Sequence, residues 1–263
     1  MATYLDRILA AHRAAAAEDD RDLDELVRRA AEAGAARGFA AAIGVADGVA
    51  VVAEVKRASP SRGPLAPDLD PAGVAEAYAA GGATCLSVLT DGAFFSGSPQ
   101  DLAAARAATD LPVLRKDFTV GPADVCDARL MGADAVLLIA AALSPELLAE
   151  LHVLARRLGL DALVEVHDEA EAEVALAAGA TLVGVNQRDL VSFAVDGGRA
   201  ARVARVLPAG VVTVAESGIA TVEDVARLAD AGFDAVLVGE ALVTAPDRAA
   251  AVASLRAATA VRR

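Results

Sequence analysis

From residue 49 onward, short apolar runs alternate with longer stretches of helical spacing. The runs fall at 49–55, 83–90, 112–116, 134–140, 161–166, 181–186, 211–216 and 234–239. They are rich in Val, Leu and Ile and lack the polar alternation of a half-exposed strand, which predicts strands covered on both faces. Between them lie segments such as PAGVAEAYAAG, PQDLAAARAATD, SPELLAELHVLARRLG and TVEDVARLADAG. Several open with Pro, Ser or Thr in the first turn and close on Gly, the start and stop chemistry of helices.

A repeat runs through this rhythm. Gly82-Ala-Thr-Cys-Leu-Ser-Val, Gly132-Ala-Asp-Ala-Val-Leu-Leu, Gly179-Ala-Thr-Leu-Val-Gly-Val and Gly232-Phe-Asp-Ala-Val-Leu-Val each end a helix on Gly and start the next strand at once. They recur at every second strand–helix unit, marking the even strands. Eight units on a twofold pattern predict a closed (β/α)8 barrel, an α/β fold of the TIM-barrel kind, over 49–263. An open dinucleotide-binding sheet fits less well, because no Gly-x-Gly-x-x-Gly follows the first strand.

Residues 3–46 follow another pattern. Tyr4, Leu5, Ile8 and Leu9 recur at helical spacing, and so do Leu23, Leu26 and Val27 after the acidic run Glu18–Asp20. This predicts two amphipathic helices and a Gly/Ala-rich connector through Gly48. The segment has too little apolar surface to fold alone. The expected organisation is therefore one domain, with 1–48 as a helical extension lying across the end of the barrel. No second barrel is expected after the last barrel helix.

A hydrophobic fraction of 56% supplies a large core and excludes disorder. The net charge of −13 argues against nucleic acid or an anionic membrane as partner, though not against an anionic small substrate held by a local cluster. Lys56, Arg57, Arg62, Arg115, Lys116 and Arg188 all sit near predicted strand ends. Cys85 and Cys126 have neither metal nor redox spacing, and His12, His152 and His167 are far apart in sequence, so no metal site is expected. The N-terminus has neither a signal peptide's apolar core nor a membrane span, which points to the cytoplasm.

In a barrel of this kind the carboxyl ends of the strands form the active face. The first strand ends in Glu54 and Lys56, one residue apart and hence on one face, followed by the Ser-Pro-Ser-Arg-Gly-Pro loop with Ser59. The second leads to Phe94 and Phe95, and the third ends in Lys116. The fifth ends in Glu165, the sixth in Asn186 and Arg188, the seventh in Glu216-Ser217-Gly218 and the eighth in Gly239-Glu240. The fourth ends in plain Leu-Leu-Ile-Ala-Ala. Charges of both signs in one mouth shift one another's pKa and allow acid–base chemistry. The glycine turns after the last two strands are where such barrels hold phosphate on backbone amides. Glu240 would repel phosphate, so its side chain is expected to turn away while its amide donates.

Together, AEVKRASPSRG, FFSGS, LRKDF, LVEVHDEAE, GVNQRDL, VAESGI and LVGEAL resemble the indole-3-glycerol phosphate synthase family over nearly the whole chain, two-helix extension included. The resemblance implies closure of 1-(2-carboxyphenylamino)-1-deoxyribulose 5-phosphate to an indole, with loss of carbon dioxide and water and without metal or cofactor. It implies Lys116 as general acid for ring closure and Glu165 as an acid–base residue for dehydration. It places Lys56 near the substrate carboxylate and phosphate, with Glu54 as its partner and a further acid–base group, and counts both among the catalytic residues. Asn186 and Arg188 would orient the anthranilate, with Ser59, Phe95, Glu216 and Ser217 lining the pocket. Gly218, Gly239 and Glu240 would cradle the phosphate, while Phe94 and Leu114 would add apolar wall. Gln187 stands where many relatives carry Asn, and Glu240 where some carry Ser. The expected assembly is a monomer or weak homodimer. Other phosphate-binding barrels, such as ketose-forming isomerases, and a non-catalytic barrel scaffold are the alternatives.

Overall fold

The computed structural model describes residues 3–60, 62–189 and 191–257. Among them, eight parallel strands close into a barrel: β1 (Ala50–Val55), β2 (Cys85–Leu89), β3 (Val113–Lys116), β4 (Ala135–Ile139), β5 (Asp161–Val166), β6 (Leu182–Asn186), β7 (Val212–Glu216) and β8 (Ala235–Val238). Each strand pairs with its sequence neighbours, and β1 closes the ring on β8 with Ala50 opposite Ala235. The even strands enter as the repeat predicts. Gly82, Gly132, Gly179 and Gly232 all have φ between 86° and 90°, the left-handed conformation that ends a helix without a Cβ penalty. The next amide reaches back to the helix each time, as from Ala83 to the Tyr78 carbonyl.

Three helices precede the barrel: α1 (Tyr4–Ala17), α2 (Leu23–Ala31) and α3 (Phe39–Gly44). Those in and around the barrel are α4 (Pro71–Ala80), α5 (Gly92–Phe95), α6 (Pro99–Ala108), α7 (Pro122–Leu130), α8 (Pro145–Arg157), α9 (Glu169–Ala177), α10 (Arg199–Val203), α11 (Val222–Asp230), α12 (Glu240–Val243) and α13 (Arg248–Ala257). Their caps follow the sequence signals. Asp70, Ser98 and Ser144 bond the first-turn amides of helices that open with Pro.

The third N-terminal helix lies in the connector and was not predicted. No amphipathic repeat announces it, since its buried residues, Phe39 and Ile43, are held by the barrel interior and not by a helical partner. Polar groups at the lower strand ends dock its approach. The Arg37 and Ala40 amides donate to Asp134 and Asp161 at 2.8 Å each. The extension therefore covers both ends of the barrel, where the sequence suggested one: α3 fills the floor, and α1 borders the mouth through Tyr4, Leu5 and Ile8.

Candidate active site

Period two along each strand decides what enters the mouth. On β1, Val51, Ala53 and Val55 join the layer between strands and helices, whereas Ala50 and Val52 face the barrel axis, and Glu54 follows them on that side. The same alternation brings Lys116, Glu165, Asn186 and Glu216 inward from β3, β5, β6 and β7. They border a cavity of about 760 Å³ with Lys56, Ser59, Phe95, Arg188, Ser217, Gly218, Gly239 and Glu240 on its walls. β4 contributes only Leu137 and Ile139, as its plain end foretold.

The centre is a buried charge network. Lys116 Nζ lies 2.8 Å from Glu165 Oε2 and 3.3 Å from Glu216 Oε2. Asn186 Nδ2 donates to the other Glu165 oxygen at 3.0 Å. Burial alone would depress the Lys116 ammonium, but Glu165, Glu216 and Glu54 outweigh it and hold the pKa well above the ordinary lysine value. The two carboxylates split. Burial would raise both; Lys116 and His167 bring Glu165 down and keep it ionised. Glu216 is pushed up to about 8 by burial and by the neighbouring Glu165 and Glu54, with Lys116 opposing. Its Oε1 is buried without a hydrogen-bond partner.

Glu54 and Lys56 form a second pair at 2.6 Å, with Ser87 Oγ donating to Glu54 at 3.4 Å. Gly239 makes room for this pair. A Cβ there would overlap Glu54 Oε1 and stand 2.9 Å from Lys56 Nζ. Gly218 leaves room for Val195 in the same way and has φ 70°, next to Ser217 at φ 66°. Gln187 steadies that turn by donating to the Ser217 carbonyl at 2.9 Å.

Other placements differ from the sequence reading. Arg115 and Arg57 turn away from the cavity: Arg115 binds Asp117 and the Asp124 carbonyl, and Arg57 binds Asp101. Both lie one residue from an inward position, so their side chains take the opposite face. Leu114 belongs to the apolar level beneath the site. Phe94 packs edge-on against Tyr4, 5.9 Å between ring centroids, and is not part of the cavity wall. The wall is completed by Phe118, Phe193, Tyr4, Leu5 and Ile8, which sequence reasoning did not select. Phe118 could have been found, since it follows Lys116 within LRKDF; the α1 residues carry no local mark of the site.

The Ser-Pro-Ser loop, of which Ser61 lies outside the described residues, forms a short antiparallel ladder between Ala58–Ser59 and Gly63–Pro64. Glu240 reaches this loop, its carboxylate 2.7 Å from the Arg62 guanidinium, so it finds a cation at the rim.

Two of the three histidines meet carboxylates. His167 stands with Nε2 3.6 Å from Glu165 and Nδ1 3.0 Å from Glu171. His12 meets Asp91 and Asp117, although the three are far apart in sequence. Their donor atoms lie within 4.8 Å of one another. Arg115 and Thr90 on Asp117, and backbone amides on Asp91, make this an ion-pair network.

Residues 5–255 match the model of the indole-3-glycerol phosphate synthase family. The chain is 52% identical over 256 residues to indole-3-glycerol phosphate synthase of Mycolicibacterium vanbaalenii, covering 97% of this chain and 94% of the relative. It is 53% identical over 223 residues to indole-3-glycerol phosphate synthase 2 of Streptomyces coelicolor, covering 85% and 86% of the two chains. Among solved structures it resembles thiamine phosphate pyrophosphorylase from Pyrococcus furiosus, with a TM-score of 0.61 and 20% identity over 80% of this chain and 94% of that one. At that identity the likeness concerns the fold alone.

Proposed function

The chain belongs to the indole-3-glycerol phosphate synthase family, and from that premise we propose how its residues carry out the reaction. The enzyme is a carboxy-lyase of tryptophan biosynthesis acting on a phosphorylated small molecule. It closes 1-(2-carboxyphenylamino)-1-deoxyribulose 5-phosphate to indole-3-glycerol phosphate. The isomerase and scaffold alternatives are not favoured by these relatives. The observation that carries the residue assignment is Lys116, charged and wedged between an ionised Glu165 and a Glu216 that keeps its proton near neutrality.

Lys56 and Arg188 meet the substrate's anionic ends, and Asn186 orients the anthranilate. Phe95, Phe118 and Ile8 supply an apolar wall for the ring, supported by their positions around the cavity. The phosphate lies on the turns at Ser217-Gly218 and Gly239-Glu240, with Lys56 alongside. As the ring carbon attacks the ketone, negative charge grows on its oxygen. The Lys116 ammonium stabilises that charge and gives the oxygen its proton. Loss of carbon dioxide then restores aromaticity. In dehydration Glu165 takes a ring proton, and Lys56, held by Glu54, protonates the departing hydroxyl. Glu216, 3.3 Å from Lys116, returns a proton to it. Net, one proton is taken from solvent for each carbon dioxide released.

We further read extension and barrel as one domain, because α3 fills the barrel's own floor, and the protein as a cytoplasmic monomer or weak homodimer. No helix among the described residues is long and apolar enough to cross a membrane. The test is direct. Purified protein given the carboxyphenylamino-deoxyribulose phosphate, without added metal ion, forms a fluorescent indole; no indole at any pH between about 6 and 9 would overturn the reading.

A further inference from the structure

Helix α1 borders the cavity with Tyr4, Leu5 and Ile8. His12 follows Ile8 by four residues and stands on the same face, one turn on. There it meets the barrel twice. Its Nε2 lies 2.9 Å from Asp91 Oδ2 and 3.9 Å from Asp117 Oδ1, both carboxylates being buried. Its ring centroid lies 5.4 Å from that of Phe118, which lies 6.0 Å from Phe95. Phe95 and Phe118 both line the cavity, as does Lys116.

Each carboxylate that His12 approaches also holds the backbone of one of these phenylalanines. Asp91 Oδ1 accepts from the Phe94 and Phe95 amides at 2.6 and 3.1 Å. Asp117 Oδ1 accepts from the Phe118 amide at 2.8 Å. One imidazole thus ties α1 to the two loops whose rings make the apolar wall. We propose that His12 is a positioning residue for the aromatic half of the substrate, fixing Phe95, Phe118 and the inward face of α1 through Asp91 and Asp117. This rests on the reading of that wall as the anthranilate site.

The charges around His12 decide its protonation. Asp91 follows β2, Asp117 follows β3, and Asp124 in the first turn of α7 adds a more distant negative charge. Arg115 faces Asp117 at 3.0 Å from the barrel side, and Arg13 on α1 itself is engaged by the Ala142 carbonyl at 2.8 Å. The hydrogen bond to Asp91 outweighs burial and holds the imidazole pKa above its ordinary value. Because the folded pKa is raised, the ion pair is complete at pH below the ordinary histidine value. It is lost as pH rises through the raised one. The wall should loosen in that window.

The experiment compares wild type, His12→Ala and His12→Lys. The lysine variant keeps a cation across the whole range. In each, KM and kcat are measured from about pH 6 to 9, with inhibition constants for anthranilate and for inorganic phosphate as probes of the two ends of the cavity. His12→Ala is expected to raise KM and the anthranilate constant about tenfold, the loss of one partly buried charged hydrogen bond, while the phosphate constant stays put and kcat changes about twofold or less. Wild-type KM, divided by that of His12→Lys to cancel the substrate's own titration, is expected to rise with pH. Equal weakening of anthranilate and phosphate in His12→Ala would mean general loosening and would overturn the proposal. So would a flat wild-type to His12→Lys ratio. If wild type forms no indole, the function assigned above fails; the two inhibitor arms, followed by direct binding, still decide the role of His12.

Discussion

The two ends of the barrel interior are built from the same strands and the same inward-facing stripe, yet they do opposite work. At the floor, Ala50, Val52, Cys85, Leu114, Leu182, Val214 and Ala235 pack on Phe39 and Ile43 of α3. At the mouth, two residues or so further along five of the strands, the stripe becomes Glu54, Lys116, Glu165, Asn186 and Glu216. The floor buries apolar side chains and contributes stability. The mouth keeps several charges out of water, affordable only because each has a partner. Position along a strand, more than which face a residue takes, separates folding from chemistry here.

Substitutions at the two ends should therefore fail differently. Lys116→Ala is expected to lower kcat by at least about 10²–10³-fold, the typical cost of one charge donor, with little loss of folded protein. Steady-state indole fluorescence beside circular dichroism reads both, and retained turnover would remove Lys116 from its role. Phe39→Ala at the floor is expected to reverse the pattern. Urea unfolding should show a loss of about 3–5 kcal/mol for this fully buried ring, with kcat per folded molecule unchanged.

Gly239→Ala sharpens the contrast, since it adds only a methyl group. At the mouth that methyl meets the Glu54–Lys56 pair, and a displacement of this kind costs up to about 10²-fold in kcat/KM. Normal kinetics would mean that the pair tolerates displacement. The mildest effect is in pH. Glu216 holds its proton below about 8 and loses it above, so kcat should fall as pH rises through that value. Glu216→Gln should abolish this limb of the profile while lowering the plateau; a limb that survives belongs to another group.

The legible part of the molecule was its repetition. Strand runs read from the chain coincide with β1 to β8 to within a residue or two at most ends. The four Gly-initiated repeats each proved to be a left-handed helix terminus. The inward set at the strand ends was legible for the same reason, because period two and the barrel's polarity act locally. What escaped notice depends on distant segments meeting. Helix α3 exists because the floor needs Phe39, and Tyr4, Ile8 and Phe193 reach the cavity from segments far apart in the chain. Arg57 and Arg115 looked like site cations, but both turn outward, Arg57 onto Asp101 and Arg115 onto Asp117 and the Asp124 carbonyl.

By itself, then, the order of residues determined the barrel, its direction and the charged groups at its mouth, since hydrophobic period, helix caps and strand ends are properties of neighbours. Only the tertiary structure decided which charges pair, which glutamate keeps a proton and where α1 lies. Those outcomes depend on distances and dielectric between groups that share no local sequence. Glu165 and Glu216 look alike along the chain, and both are buried beside Lys116; His167 and Asn186 favour the charge on Glu165, whereas Glu165 and Glu54 repel it on Glu216, which leaves one carboxylate ionised and the other protonated.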